Sequence, residues 1–223
     1  MTKIVAINGS PRATWNTATL VRDAAAGAEE AGAEVQVFDL YKLDSYQGCR
    51  SCFVCKTERS AGVCAIRDGL KPVLDAIREA DGVVLGTPNY LGDVSAAVYA
   101  LLERLVFQNI TYKRDPHVYH DVRGRCLFIV TSNSGAESYE GQGFNAGMLR
   151  TRAAQLEHAI GPTQTFVCGS TQQVADYDRY DWTMFDGPAR VKRHNEVFPT
   201  EREAVRALGS KLANSTDWTK TSA

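Results

Sequence analysis

The sequence predicts an α/β fold in which five parallel strands form one open, doubly wound sheet with helices on both faces. Short apolar runs alternate with helical stretches in the order β-α-β-α-β-α-β-α-β, and most runs end in loops rich in Gly, Pro, Ser or Asn. Strands joined by helical crossovers are parallel and right-handed. On such sheets, ligands lie outside the carboxyl ends of the strands, where the winding changes direction.

The first strand, Ile4-Val5-Ala6-Ile7, ends in the polar run Asn8-Gly9-Ser10-Pro11-Arg12-Ala13-Thr14-Trp15-Asn16-Thr17. Good helix formers from Ala18 to Ala31 follow, with Thr17 as the expected N-cap. Unpaired amides and the positive end of a helix dipole attract anions, so Ser10, Thr14, Asn16 and Thr17 suit a phosphate monoester, with Arg12 adding charge. No Gly-Lys-Ser/Thr follows and Gly9 is the loop's only glycine, which argues against a Walker A loop and a dinucleotide fingerprint. The alternative is a polar loop that merely caps its helix.

Glu34 to Leu40 alternates as a second strand, and residues 48–67 carry no period and read as a long loop. The spacing of Leu70, Val73, Leu74 and Ile77 predicts a helix over Leu70 to Ala80, before a buried strand, Gly82 to Thr87, that Pro88 stops. Ser95 caps an amphipathic helix to about Phe107. Asn109 to Gly124 reads as a surface excursion whose His117 and His120 are solvated, not metal ligands. Arg125 to Thr131 is the fourth strand, Ser132 to Gly143 a loop, Phe144 to Ile160 a helix and Thr163 to Cys168 the fifth strand. Between Gln172 and Phe198, Tyr177, Tyr180, Trp182, Met184, Phe185 and Phe198 form an aromatic arm. It either packs locally or, as favoured here, buries against another subunit. A closing helix covers Glu201 to Leu212, so one domain spans 1–213 and residues 214–223 form a frayed tail.

With 44% hydrophobic and 23% charged residues and a net charge of −1, the composition is globular and offers no electrostatic footprint for nucleic acid. No run approaches the ~20 apolar residues of a membrane span and no secretory signal is visible, so the expected location is cytoplasmic. Cytosolic cysteines are more often thiols or metal ligands than disulfides. Cys126 and Cys168 stand in apolar runs and read as buried structural residues.

Two further stretches carry chemistry. In Thr87-Pro88-Asn89-Tyr90-Leu91-Gly92-Asp93-Val94, backbone amides can meet the edge of a flat polar ring while Tyr90 covers a face; the alternative is an ordinary helix-capping turn. Thr131, Ser132 and Gly135 after the fourth strand are expected to complete the pocket. A phosphate loop on strand 1 with a ring loop on strand 3 is the arrangement of FMN sites on sheets of order 2-1-3-4-5. Separately, Cys49, Cys52, Cys55 and Cys64 fall within sixteen positions. A compact triplet plus one favours an iron-sulfur cubane, with zinc or metal-free redox thiols as alternatives.

Gly9-Ser10-Pro11-Arg12 with Asn16-Thr17, then Ala80-Asp81-Gly82 leading to Thr87-Pro88-Asn89-Tyr90 and Ser95, resembles the NAD(P)H-dependent FMN reductase family of flavodoxin-like fold, from residue 3 to about 169. Cys49-x2-Cys52-x2-Cys55 with Cys64 and Asp68 resembles its iron-sulfur flavoprotein branch. The eight-residue spacer before Cys64 is longer than usual there, and Arg67-Asp68-Gly69 replaces an acidic pair. The resemblance implies FMN on the two loops, a [4Fe-4S] cluster on the four cysteines, and NAD(P)H or a protein donor as reductant. It also implies a homo-oligomer, a dimer or tetramer, and an electron-transfer protein partner. The cofactors carry this chemistry, so no side chain is named as catalytic. Two other readings stay open: a cluster-free NAD(P)H-dependent FMN or quinone reductase, and a non-enzymatic flavodoxin-type electron carrier. A receiver domain is a poorer match, because Asn8-Gly9-Ser10 lacks paired acids.

Overall fold

The computed structural model describes residues 1–120, 124–214 and 218. Strands β1 (Lys3–Asn8), β2 (Glu34–Asp39), β3 (Gly82–Pro88), β4 (Arg125–Thr131) and β5 (Thr163–Cys168) form one parallel sheet in the order β2-β1-β3-β4-β5. Lys3 lies opposite Glu34, and Ile4 opposite Gly82. Period-two alternation sends Ile4, Ala6, Val84, Leu127 and Ile129 to one face and Val5, Ile7, Leu85, Phe128 and Val130 to the other, so each face has its own apolar core.

Helices α2 (Lys71–Glu79), α3 (Ala96–Asn109) and α4 (Phe144–Ala159) cover the second face; α1 (Asn16–Glu30) and α6 (Phe198–Asn214) cover the first, with α5 (Gly187–Glu196) beside α6. α1 and α6 lie side by side on the sheet, and α1 packs closely against both, which accounts for its run of buried alanines. At the crossing, a Cβ on Gly27 would overlap Arg206 O and one on Gly209 would overlap Ala24 O, so the two backbones approach as only small residues allow.

Several expectations differ from the structure. Thr17 does not cap α1: the helix starts at Asn16 with Trp15 at the cap and no side-chain cap bond, which puts the Thr17 hydroxyl inside the first turn. The aromatic arm contains α5, whose start is marked by Asp186 accepting from the Ala189 N–H at 2.9 Å and by Pro188 in the first turn. Its dense charge hid the helical period. α6 begins at Phe198, three residues before the expected start, because Phe198 is buried in the core with α1. Asn214 is helical, and Trp218 is buried with its Nε1 donating to Cys126 O at 3.3 Å. The other positions of the expected frayed tail lie outside the described residues. His117 and His120 are both exposed, as expected, and His120 also reaches Gly62 O at 3.3 Å, which ties the excursion to the cysteine loop.

Candidate functional site

The loop after β1 is braced from below by Asn8. Its Oδ1 accepts the Ser10 N–H at 3.0 Å and its Nδ2 donates to Asp39 at 2.8 Å. Gly9 N–H donates to Gly86 O at 2.8 Å, and Ser95 Oγ donates to Gly9 O at 2.7 Å. A Cβ at Gly9 would overlap Val98 Cγ2 and lie 2.8 Å from Gly86 O, so glycine is required by close approach. The loop thereby sits at the N-terminus of α1, where first-turn amides have no intrahelical acceptor. Ser10, Asn16 and Thr17 are buried there, whereas Arg12 and Thr14 are exposed. The Thr17 and Thr131 hydroxyls share a hydrogen bond of 2.7 Å, which joins the ends of β1's loop and β4.

The segment after β5 also reaches this loop, and sequence reasoning missed it. Asn16 Nδ2 and Trp15 Nε1 both donate to Gln172 O, at 2.8 and 3.1 Å, and Arg12 donates to Gln173 O while lying 5.3 Å from the Trp15 ring centre. Thr171 in turn donates through its N–H and its hydroxyl to Ser132 O. Ser170, at φ +51°, turns the chain inward, and nothing but the Gly169-Ser170 pair signals this in sequence.

Across the crevice, Asn89 organises the loop after β3. Its N–H donates to Thr131 O at 2.8 Å, its Oδ1 accepts the Gly92 N–H at 2.8 Å, and its Nδ2 donates to Tyr139 Oη and to Asn145 Oδ1. Tyr139 and Asn145 were likewise missed, since contacts fifty or more positions away leave no local pattern. Leu91 and Gly92 adopt φ +55° and +84°, closing a tight turn between Tyr90 and Asp93. Asp93 takes two hydrogen bonds from Arg152, at 2.9 and 2.6 Å, and these hold its carboxyl below the usual carboxylate range. Burial pushes the Tyr90 hydroxyl up against the opposing field of Arg12. Leu91 and Phe144 stand out at 101% and 79% exposure beside this turn. Pro88, Thr131 and Ser132 are buried around the strand ends. Gly135 carries the next turn, its carbonyl accepting from Ser138 N–H and Oγ, and it packs against Gly169.

The cysteine segment runs along the outside of α3 in irregular chain broken by short 3-10 turns. Ser51 and Phe53 at φ +51° and +58° wind it around Cys52, and Gly62 at φ +73° turns it back. Cys49 N–H donates to Glu103 at 3.0 Å and Cys64 N–H to Gln108 at 3.0 Å. The Lys56 ammonium donates to Ile110 O at 2.6 Å and contacts Phe107 O, so it caps the C-terminus of α3. As a result the four cysteines of this segment, all of them free, line one pocket together with Arg104, Phe107 and Gln108. Burial pushes the Cys55 thiol up against the field of Lys56, with Cys64 and Cys49 adding to the rise. Among the described residues no group of three or more His, Cys, Asp or Glu side chains is placed to hold a single metal ion. A cubane differs, because each thiolate binds a separate iron corner and the sulfurs stand apart around a void. Four thiols lining one pocket are donors of the chemical type such a group takes. Cys126 and Cys168 are buried elsewhere, as expected, and desolvation pushes both thiols far up and keeps them inert.

The NADPH-dependent FMN reductase family model matches residues 2–161. An iron-sulfur flavoprotein of Methanocaldococcus jannaschii is 39% identical over 102 residues, 46% of this chain and 51% of that one. One of Methanosarcina thermophila is 31% identical over 135 residues, 60% of this chain and 66% of that one. An iron-sulfur flavoprotein of Archaeoglobus fulgidus is matched over 48% of its length, so the chain spans about half the length of several curated relatives. Among solved structures, an azoreductase from Bacillus anthracis superposes with a TM-score of 0.65 at 18% identity, covering 95% of this chain and all of that one. An NAD(P)H:quinone oxidoreductase from Methanothermobacter marburgensis gives 0.61 at 14%, covering 97% of each; these two likenesses concern the fold. With the flavodoxin-like strand order and the family model covering most of its length, the chain belongs to the NADPH-dependent FMN reductase family.

Proposed function

We propose that the protein is an FMN-dependent oxidoreductase that takes electrons from NAD(P)H or a protein donor and passes them singly through a [4Fe-4S] cluster on Cys49, Cys52, Cys55 and Cys64. The observation that carries the reading is the gathering of these four free thiols around one pocket in a chain of this family. FMN fits the crevice, because buried hydroxyls of Ser10 and Thr17 stand at a helix N-terminus that offers unpaired amides to a phosphate. When bound, FMN accepts a hydride and releases electrons one at a time.

The chain's own residues bind and orient. Ser10, Thr14, Asn16 and Thr17 hold the phosphate end, and Arg12 supplies positive charge at the crevice mouth from its anchor on Gln173. Pro88, Asn89, Tyr90, Leu91, Gly92 and Asp93, with Thr131, Ser132 and Gly135 behind them, form the ring side. Asn89 keeps the turn rigid through Gly92, Tyr139 and Asn145, and Arg152 fixes Asp93. Tyr90 shields the crevice from water.

The protein works as a homo-oligomer. Exposed Tyr90, Leu91 and Phe144 beside the ring loop, Phe53 and Tyr112 beside the cysteine pocket, and Tyr180, Trp182 and Met184 in the arm form apolar surface of the kind oligomer interfaces cover. The two sites lie along α3, whose cap at Ser95 and pocket-lining residues Arg104, Phe107 and Gln108 are separated by roughly 13–20 Å at 1.5 Å per residue. A second copy set against these patches shortens the electron path. Six free thiols fit a reducing, cytoplasmic setting, and no helix of the described residues is long and apolar enough to cross a membrane.

Anaerobic purification with flavin, iron and sulfide analysis, followed by NADH and NADPH oxidation assays, tests the reading. FMN with about four irons per chain and turnover with a nicotinamide supports it. Flavin without iron after reconstitution reduces it to a cluster-free FMN or quinone reductase, and bound flavin without turnover to an electron carrier.

A further inference from the structure

Arg104 is the largest fully buried side chain, on α3 between Leu101 and Leu105. Asp68 takes two hydrogen bonds from its NH1, at 2.7 and 2.8 Å, which makes the buried pair neutral. NH1 also donates to Gln47 O at 3.3 Å and NH2 to Ile66 O at 3.1 Å, so the guanidinium binds both ends of the cysteine segment. Its Nε–H is left without a partner among the described residues, although buried donors are nearly always paired. This same side chain lines the pocket of Cys49, Cys52, Cys55 and Cys64. Cys64 comes close enough to the guanidinium to hydrogen-bond with it and to act on it electrostatically, yet no acceptor meets hydrogen-bond geometry at Nε itself. A buried donor without an acceptor, on a side chain that lines the same pocket as four thiols, calls for an acceptor that arrives with a ligand.

We propose that Arg104 sets the potential of the cysteine site, its Nε–H donating to a sulfur of the bound cluster or of its Cys64 ligand while Asp68 balances the guanidinium charge. The inference rests on the cluster reading above. Hydrogen bonds to cluster sulfurs and nearby charge are among the main determinants of a cluster's potential. One-electron reduction adds a negative charge, so a donor at a sulfur favours the reduced form. Arg104→Lys keeps a cation but has no Nε donor, and makes reduction harder. Asp68→Asn removes a nearby anion and leaves the guanidinium uncompensated, and makes reduction easier.

The test is an EPR-monitored redox titration of reconstituted holoprotein, with iron counted per chain. Arg104→Lys should shift the cluster's reduction equilibrium about tenfold toward the oxidised form, about 59 mV for one electron, and Asp68→Asn should shift it in the opposite direction. A residue that merely braces the loop would leave both potentials where they were in any variant that retains iron, and that result overturns the proposal. For a variant that fails to fold or load, pulsed EPR of reduced Arg50→Lys protein labelled with guanidino-15N arginine decides, since Arg50 is the other arginine on this pocket: a 15N coupling to the cluster supports the bond, and its absence removes it. A wild-type chain that takes up no iron overturns the cluster reading and this inference together; a loaded cluster with unchanged potentials and no coupling overturns this inference alone.

Discussion

The Thr17–Thr131 contact separates what the crevice does for stability from what it does for binding. The two hydroxyl oxygens are 2.7 Å apart, with the residues 3% and 5% exposed, so replacing either alone strands the other where water cannot serve it. Thr17→Val or Thr131→Val should therefore each cost about 1–3 kcal/mol, whereas replacing both by isosteric valine leaves no orphan and should cost less than about 1 kcal/mol. The cycle predicts a coupling of at least about 1 kcal/mol, well above the few tenths expected of independent sites. Binding should behave in the opposite way. The double variant lacks the Thr17 hydroxyl for a charged phosphate, a hydrogen bond worth about 1.5–3 kcal/mol, so FMN affinity should fall roughly tenfold to a hundredfold. Urea denaturation of flavin-free protein and titration of FMN fluorescence quenching measure the two quantities. If the single losses simply sum in the double variant, or if its FMN affinity stays within about threefold of wild type, the reasoning is wrong.

Gly9→Ala should destabilise the fold by about 1–3 kcal/mol, because its methyl meets Val98 Cγ2 and Gly86 O; a matched urea midpoint would refute the close-approach argument. Asp39 is pushed up by burial but held lower overall by hydrogen bonds from Asn8, Lys42 and Arg22. Its contribution is therefore present above the unfolded carboxylate pKa of about 3.9 and is lost as pH falls through the lower folded value. Asp39→Asn should flatten the acid limb of the stability profile, read from urea midpoints at several pH values below 5. Cys52→Ala or Cys55→Ala should abolish iron incorporation while FMN remains, and Cys126→Ala should leave iron unchanged; iron retained at full stoichiometry without Cys52 would exclude it as a ligand.

Much of the fold was determined locally. Each strand is six or seven residues of apolar or alternating pattern whose faces must both be covered, and the crossovers between them are built of helix-forming residues, so the identity and parallel pairing of the strands follow from local pattern and from the chirality of crossovers. The loops after β1 and β3 were legible because turn residues, helix caps and hydroxyls cluster where such sheets bind ligands. The four cysteines were legible by spacing alone.

Tertiary structure decided the rest, because it depends on contacts between positions far apart in the chain. That Asn16 and Arg12 rest on the carbonyls of Gln172 and Gln173 was invisible in sequence, since a backbone acceptor carries no side-chain signature. The brace of Asn89 on Tyr139 and Asn145 joins two strand-end loops, and α5 was concealed by charges that match its exposed face. Arg104 reads in the sequence as one of several polar residues late in an otherwise apolar helix; only the folding of residues 47–68 onto α3 gives it Asp68 as a counter-ion and sets its side chain on the pocket that the thiols line. Local pattern thus determines which elements form. The pairing of buried polar groups, each of which must find a partner once water is gone, decides how their ends meet to make the site.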